Sequence, residues 1–308
     1  MNFQNITYFL CTARERSFTK AAQKLFITQQ TLSGQIAALE RELGCRLFVR
    51  HVPLELTEEG KAFERYARSF ERNYRAMKNE FSDRANHQRG TLSIGIAMTR
   101  GRMLLPALID RFEKAYPLVS LEIMEDTNEA LKNSLLNGET DLIIGDLPEN
   151  IPGVETKIFY EEEVLLLLPK QLLSKIYGEN YHPLLASIRR EEDLKPLEKF
   201  PFLLGYSDDI MGRIAENLLR RSDLIPLVKC RSHNIEMLLD CCADGQGACF
   251  SPDSLLKATI SPKQLKEMEV LHFSSGTKYF IRFGWKEEND HWKLLKKFMG
   301  VALNGIKV

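Results

Sequence analysis

Residues 17–47 read SFTKAAQKLFITQQTLSGQIAALERELGCRL, and two helical patterns in this stretch decide the fold of the N-terminal part. Apolar residues recur at helical spacing first at Phe18, Ala21, Ala22 and Leu25, and then at Leu32, Ile36, Leu39 and Leu43. Thr28 stands where its side chain can cap the second helix, and Gly44 shapes the turn that follows it. The stretch therefore predicts a short helix, a tight turn and a longer helix, which bury their apolar faces together.

The face of the second helix opposite Leu32 is polar and begins with small residues. At 100° per residue it carries Gln30, Ser33, Gly34, Ala37 and Arg41. Glutamine offers a donor and an acceptor to a base-pair edge, and small neighbours allow close approach, so this face is typical of a helix that reads DNA. An ordinary three-helix bundle with a polar surface has a similar face, and the spacing alone leaves both interpretations open.

A short hairpin is predicted directly after the second helix. Apolar residues alternate on either side of Pro53 at positions 47, 49, 54 and 56, which predicts a two-stranded wing. Arg46, Arg50 and His51 cluster there, and arginine in such a position can reach phosphate or enter a minor groove. The alternative is a solvated hairpin tip, which also favours arginine.

Residues 58–86 predict one long helix with a narrow stripe of large apolar residues. The stripe consists of Phe63, Tyr66, Phe70, Tyr74, Met77 and Phe81. A single helix cannot bury such a stripe on itself, so we expect a partner helix from a second copy of the chain. The alternative is a stripe that docks on its own domain.

From residue 90 onward the pattern becomes α/β. Strand-like runs at 91–97, 119–124 and 141–145 alternate with helical runs at 103–115 and 128–136, which predicts a parallel sheet with crossover helices. A second series of alternating strands and helices extends from residue 202 to 251, and the tail adds strand-like runs at 270–273 and 279–285 and a helix at 292–303. We expect two lobes, with the chain crossing between them near 160–165 and 265–275. The polar stretch 174–199 has no assigned role beyond a surface elaboration.

Charge and composition narrow the class of protein. Residues 1–89 hold 15 Lys and Arg against 10 Asp and Glu, whereas residues 90–308 hold 27 against 32, so the N-terminal part is the one suited to polyanions. The longest apolar run, 164–168, is far shorter than a membrane span, and the first 13 residues do not resemble a secretory signal. Six unevenly spaced cysteines form no disulfide framework, and we expect a cytoplasmic protein.

The motifs of the first 60 residues resemble those of LysR-type transcriptional regulators. The resemblance runs through the two helical patterns, through Leu43-Gly44-x-x-Leu47-Phe48-x-Arg50 and through Leu56-Thr57-x-x-Gly60. It implies an α+β multidomain protein with a winged helix-turn-helix DNA-binding domain at 1–58, a dimerising linker helix at 59–89 and an effector-binding domain at 90–308. That last domain would be a two-lobed α/β unit like a periplasmic binding protein of type II, with lobe I at about 90–162 and 269–308 and lobe II at about 163–268. Such proteins act on double-stranded DNA as homodimers or tetramers.

The resemblance assigns roles to individual residues. It places base reading at Gln29, Gln30, Thr31, Ser33 and Gly34, and puts Arg50 near the DNA backbone or minor groove. Two positions depart from the family pattern, which commonly has proline in place of Gln30 and a basic or bulkier polar residue in place of Gly34. We therefore expect an unusual half-site preference.

An effector cleft is expected where the strands of the two lobes end. The predicted lining residues are Met98, Thr99, Arg100, Arg102, Thr127, Asn128, Asp146, Tyr206, Ser207 and Ser251. Free N–H groups at helix starts, with Arg100 and Arg102, favour a small organic anion such as a carboxylate. The alternative is that both arginines are solvated or pair with nearby Glu or Asp.

Other chemistries find little support in the sequence. Cys241 and Cys242 invite a redox-sensor interpretation, yet cysteine is often simply a small buried residue. Cys230-x-x-His233 matches no established metal spacing, no catalytic motif is present, and we predict no metal, no cofactor and no enzyme activity. The competing functions are a solute-binding protein for transport and a cytoplasmic enzyme on the same two-lobed scaffold.

Overall fold

The N-terminal part is a small helical domain with a wing. The computed structural model describes residues 2–49, 51, 53–84, 90–287 and 293–305. The first elements are α1 (Phe3–Glu15), α2 (Phe18–Lys24), α3 (Gln29–Leu43), β1 (Phe48–Val49) and β2 (Glu55–Leu56). Phe9, Leu32, Ile36 and Leu39 are fully buried in its core, and β1 pairs antiparallel with β2. The predicted helix-turn-helix and wing are confirmed.

The ends of α3 are fixed by two residues that the sequence identifies. The Thr28 side chain accepts a hydrogen bond from the Thr31 backbone N–H at 3.1 Å, and Gly44 ends the helix at a φ of 70°. Because a left-handed φ strains most side chains, glycine is the residue suited to this position. One residue departs from the predicted apolar stripe: Leu43 is 40% exposed, since it lies in the last turn, beyond the core.

The long helix α4 spans Glu58–Arg84, and residues 85 and 86 of the predicted helix lie outside the described residues. Phe63 packs against the core of the N-terminal domain, with its ring centroid 4.7 Å from that of Phe9. Phe63 is half-buried by its own domain, and its place in a seam between two copies stays a prediction. Further along, five members of the stripe are exposed: Tyr66, Phe70, Tyr74, Met77 and Phe81.

The remaining chain folds around a nine-stranded sheet. Its first elements are β3 (Gly90–Ile96), α5 (Met98–Ala115), β4 (Val119–Glu125), α6 (Asn128–Asn137) and β5 (Leu142–Asp146). β3 pairs in parallel with both β4 and β5, which confirms the predicted crossover arrangement. α5 begins five residues before the predicted start at 103, because its first turn is polar and lacks the apolar spacing that marks the rest.

The second series of elements follows the prediction closely and adds helices to it. In chain order it consists of β6 (Val154–Pro169), α7 (Lys170–Tyr177), α8 (His182–Glu191), β7 (Pro201–Leu204), α9 (Ile210–Arg221), β8 (Leu227–Arg231), α10 (Ile235–Ala243), β9 (Ala248–Pro252), α11 (Asp253–Thr259), α12 (Pro262–Lys266), β10 (Met268–Leu271), β11 (Lys278–Lys286) and α13 (Lys293–Gly305). No described helix is long and apolar enough to cross a membrane.

The stretch 174–199 is part of the packed structure of the second lobe. It contains α8, the end of α7 and a single 3-10 turn, and it buries Leu185, Ile188 and Leu197 completely or nearly so. Leu185 and Ile188 lie three residues apart, on the same face of α8, and that face is the buried one. The predicted surface elaboration is corrected accordingly.

One strand joins the two lobes. From Val154 to Glu163, β6 pairs with β11, and from Val164 onward it pairs with β9 and β10. The change of partner falls within the predicted crossing at 160–165. β10 pairs with the second half of β6 and so belongs to the second lobe. The prediction had placed residues 269 and beyond in the first lobe. The chain therefore returns to the first lobe between β10 and β11.

Candidate functional site

The exposed face of α3 carries the residues that the sequence assigns to base reading. Gln29, Gln30, Thr31 and Gly34 are exposed and Ser33 is half-buried. A Cβ added to Gly34 would meet no atom within 4 Å, so neither packing nor backbone conformation requires glycine there. With glycine at this position, no side chain projects from this part of the exposed face of α3. Arg50 lies outside the described residues.

A buried carboxylate ties α3 to the wing. Glu40 is 8% exposed, and its Oε1 accepts hydrogen bonds from the backbone N–H groups of Leu47 and Phe48 at 2.9 and 3.3 Å. These bonds set the path of the chain from the end of α3 into β1. The sequence alone assigned no role to Glu40. The signal that could have identified it is a glutamate next to Leu39, at the edge of the buried face of the helix.

The linker helix touches both neighbouring parts of the chain. Tyr74 packs against Phe3 of α1, with ring centroids 4.4 Å apart. Arg68 of α4 pairs with Glu64 at 2.8 Å and with Glu139 at 2.6 Å, and Glu139 lies just beyond the end of α6. The side of α4 that carries Tyr66, Phe70 and Phe81 stays open to solvent within one chain.

A cleft of about 610 Å³ opens where the lobes meet. Five of the predicted residues line it: Met98, Thr99, Arg100, Thr127 and Asn128. They come together because the first turns of α5 and α6 both start at the carboxyl ends of parallel strands. Gly145 leaves room for the side chain of Asn128, since a Cβ at residue 145 would lie 2.5 Å from Asn128 Oδ1.

The other five predicted residues do not belong to the described lining. Arg102 is exposed and pairs with Glu236, and Asp146 pairs with Arg213 at 3.0 Å. Tyr206 stacks on His233 at 4.4 Å, while Ser207 is exposed. Ser251 is fully buried, and its hydroxyl donates to the Pro252 carbonyl at 3.0 Å. These five side chains lie outside the described lining, and their part in effector binding stays a prediction.

The floor of the cleft is a buried ion pair. Arg100 Nη2 lies 3.2 Å from Glu162 Oε2, and the two side chains are 10% and 2% exposed. Arg100 Nε also donates to the Tyr160 hydroxyl at 3.3 Å. Glu162 accepts further hydrogen bonds from the hydroxyl groups of Ser254 and Tyr279. Every oxygen of this carboxylate thus has a donor, which is what a charge in a dry interior requires.

Burial and charge shift the ionisation of this network. Burial works against the guanidinium charge, but Tyr160, Tyr279 and Glu162 together raise the pKa of Arg100 above its ordinary value. Burial is also the main cause that raises the pKa of Tyr160 to about 12, and burial followed by the Glu162 charge raises the pKa of Tyr279. Both phenols therefore stay protonated at neutral pH, and Tyr279 donates its proton to Glu162 in a hydrogen bond while the Tyr160 oxygen accepts from Arg100.

The rest of the lining is acidic and apolar. Six carboxylates line the cleft against one guanidinium: Glu125, Asp126, Glu129, Glu162, Asp208 and Asp209. Apolar walls come from Met98, Met103, Ile210, Met211, Ile235 and Leu255. Ligand atoms of Asp208, Asp209 and His233 lie within 4.8 Å of one another. Asp126, Asp208 and Asp209 lie outside helices and strands, where no periodic signal marks them, whereas Glu125, Glu129 and Glu162 belong to β4, α6 and β6.

The cysteines of the second lobe have free thiols, and two of them are deeply buried. Cys242 and Cys249 are buried, whereas Cys230 and Cys241 are partly exposed. Burial raises the pKa of the Cys242 thiol to about 12 and raises that of Cys249 well above its ordinary value. Such thiols are poor nucleophiles at neutral pH, which weakens the redox interpretation of the Cys241-Cys242 pair.

Two family profiles match the chain. Residues 3–61 match the bacterial regulatory helix-turn-helix protein, lysR family, and residues 85–298 match the LysR substrate binding domain. Among its relatives, the uncharacterised HTH-type transcriptional regulator YcgK of Bacillus subtilis is 30% identical over 260 residues, which cover 82% of this chain and 80% of YcgK.

Solved structures show the same fold. A variant of full-length OxyR from Pseudomonas aeruginosa superposes with a TM-score of 0.72 at 23% identity, covering 98% of this chain and 94% of OxyR. Full-length CbnR complexed with its target DNA superposes with a TM-score of 0.65 at 20% identity, covering 99% of this chain and 100% of CbnR. At these identities the likeness concerns the fold.

Proposed function

This chain belongs to the LysR family of bacterial transcriptional regulators, and on that premise we propose how it reads DNA and how a ligand controls it. It binds double-stranded DNA through α3 and the wing, and a small molecule in the cleft between the lobes modulates that binding. The observation that carries the proposal is the exposed run Gln29–Thr31 at the first turn of α3, held beside the wing by Glu40.

Base reading is assigned to Gln29, Gln30, Thr31, Ser33 and Gly34. Amides at the N-terminal end of a helix can pair with adenine in the major groove, and a glycine one turn later leaves room for close approach. Arg50, near the tip of the wing, supplies a contact to the backbone or minor groove, as the sequence predicts.

Self-association is assigned to α4. The five exposed stripe residues from Tyr66 to Phe81 lie on a helix that extends away from the DNA-binding core. A contiguous aromatic surface of this kind is stabilised by a second copy of itself. We propose a homodimer, or a tetramer built from two such dimers, whose two α3 helices meet successive turns of DNA.

The domain division that we propose keeps the sequence boundaries, with 1–58 for DNA binding, 59–89 for the linker and 90–308 for the effector. We assign no catalytic activity to the cleft, and we place the protein in the cytoplasm, where its DNA is. A transport role for the two-lobed part is disfavoured by the helix-turn-helix that precedes it.

Selection from random double-stranded DNA tests the reading residues. We expect the purified full-length protein to enrich a two-fold symmetric site, and its affinity for that site to fall steeply with salt. The variants Gln30→Pro and Gly34→Lys, which restore family residue types, should shift base preference at one position of each half-site by ~1–3 kcal/mol. Gln171→Ala, an exposed glutamine of α7, is the matched control and should leave the preference unchanged. An unaltered site in both α3 variants would contradict the assignment.

A further inference from the structure

The cleft described above is negatively charged and therefore suits a cation. In the sequence, the arginines and helix starts predicted an anion instead. We propose that the effector is an organic amine, which presents one or more ammonium groups to the carboxylates and an apolar body to the walls. This inference deepens the proposed function and rests on it, because the site is the same cleft between the lobes.

Both predicted arginines and the starts of α9 and α5 are already matched by internal carboxylates, whereas the start of α6 is capped by the Thr127 hydroxyl. Arg100 pairs with the buried Glu162, and Arg102 pairs with Glu236. At the start of α9, Asp209 accepts a hydrogen bond from the Gly212 backbone N–H at 2.7 Å. An incoming carboxylate would therefore have to compete with carboxylates that the chain holds in place.

The same holds at the start of α5. The position that a Cβ would take on Gly101 is 2.8 Å from Glu125 Oε1, so this carboxylate lies against the first turn of the helix. The N–H groups of a first turn and the helix dipole favour negative charge, and Glu125 already supplies it. The feature that the sequence analysis used to predict an anion instead brings a further negative charge to the cleft wall.

The remaining carboxylates stand on both lobes and face one space. Asp126 and Glu129 flank the start of α6 in the first lobe, and Asp208 and Asp209 precede α9 in the second. One of them has a cationic neighbour on the protein, since Lys132 pairs with Glu129 at 2.7 Å. The His233 ring lies 3.6 Å from Asp208. Even so, six acids against one buried arginine make the cleft negative, and like charges on facing lobes repel each other. A cation between the lobes removes that repulsion and favours closure.

The size and the walls of the cleft select an organic cation. A volume of about 610 Å³ is within the range of small-molecule sites, and far exceeds what a single metal ion occupies. The walls carry three methionines, two isoleucines and a leucine, which match an aliphatic or aromatic body. Methionine adapts its shape to such groups.

The test compares amines with matched neutral and acidic compounds on the full-length protein. Melting temperature is measured in EDTA at constant ionic strength with 1,5-diaminopentane, pentane-1,5-diol and glutarate, and with benzylamine, benzyl alcohol and benzoate. We expect at least one amine to raise the melting temperature, whereas its alcohol and its carboxylate do not. The Asp208→Asn/Asp209→Asn variant keeps a capping oxygen at residue 209 and should weaken amine binding by ~10-fold or more. Asp240→Asn, an exposed acid outside the lining, should leave it unchanged.

Three results would overturn the inference. In the first, only glutarate or benzoate raises the melting temperature. In the second, no amine raises it, but a divalent metal ion does when EDTA is omitted. In the third, no compound changes it. DNA binding by the same samples is measured in parallel by gel shift. Retained sequence-selective DNA binding in these cases shows that the amine inference fails while the regulator assignment stands, and loss of DNA binding in the unmodified protein counts against the proposed function itself.

Discussion

The DNA-binding half and the regulatory half each bury a carboxylate, and they satisfy it in different ways. Glu40 accepts two backbone N–H groups that follow it closely in the chain. Glu162 meets a guanidinium from α5, a hydroxyl from α11 and a phenol from β11. The first carboxylate therefore shapes one local segment, whereas the second holds together elements that are far apart in sequence and belong to both lobes.

Loss of Glu162 should have the largest effect. Glu162→Ala leaves Arg100 buried without its countercharge, and we expect the free energy of unfolding of the regulatory half to fall by ~3–5 kcal/mol. Urea denaturation followed by tryptophan fluorescence measures this half alone, since both tryptophans, Trp285 and Trp292, lie in it.

Two controls accompany that measurement. Glu161→Ala removes the preceding acid of β6, which is half exposed and pairs only loosely with Lys278 at 3.5 Å, and should change stability by under ~1 kcal/mol. Arg100→Leu/Glu162→Leu removes both charges and should recover most of the loss. A double variant as unstable as Glu162→Ala would show that the ion pair is not the cause.

Loss of Glu40 should cost less. Glu40→Ala leaves the N–H groups of Leu47 and Phe48 without their acceptor, and we expect ~1–3 kcal/mol of destabilisation confined to the DNA-binding half. Hydrogen exchange of residues 45–57 reports it, and DNA affinity should fall with it. Glu42→Ala, on the exposed side of the same helix, is the control. Equal destabilisation by the two variants would contradict the claim that the hydrogen bonds of Glu40 stabilise this segment.

A matched pair of threonine caps allows the two halves to be compared directly. The Thr28 hydroxyl accepts from the Thr31 N–H at 3.1 Å, and the Thr127 hydroxyl accepts from the Ala130 N–H at 3.3 Å. Each change to alanine should destabilise its own half by ~1 kcal/mol. Only Thr28→Ala should alter DNA binding in the absence of effector. A change in DNA binding with Thr127→Ala alone would indicate that α6 controls the DNA-binding half even without ligand.

The buried thiols should show the smallest effect. Since burial raises the pKa of Cys242 to about 12, very little thiolate exists at pH 8. We expect iodoacetamide to label Cys230 and Cys241 first, and Cys242 and Cys249 only after unfolding. Mild peroxide should leave DNA affinity unchanged. Labelling of Cys242 as fast as Cys241, read by mass spectrometry, would revive the redox interpretation.

The contrast between the two carboxylates also explains what the sequence could predict. The cap at Thr28, the stop at Gly44 and the buried Leu32 follow from spacings within one helix, and all three are found. The cleft residues Thr99 and Asn128 were predictable because strand ends are visible in the sequence. The pairing of Glu162 with Tyr279 was not, because these residues meet only through the register of β6 and β11.

The sequence left the sign of the cleft charge open, since it allowed both an anion site at the arginines and their pairing with nearby acids. Arg100 alone indicates an anion site, and only the fold reveals that Glu162 lies beneath it. The Glu161-Glu162-Glu163 run gives no hint that its middle member points inward, since all three residues are identical and only strand alternation separates them. Local patterns thus identified the elements, and long-range pairing decided their chemistry.

The position of β11 has a consequence for how the protein is made. β11 lies between β5 and β6 in the sheet, so the first lobe is incomplete until residues 278–286 have been synthesised. The N-terminal core, in contrast, is assembled from residues 6–67. Domains fold as units in the order in which they leave the ribosome. A nascent or truncated chain can therefore fold its N-terminal domain, with α3, before the effector cleft has formed. Control by the effector begins only when synthesis is nearly complete.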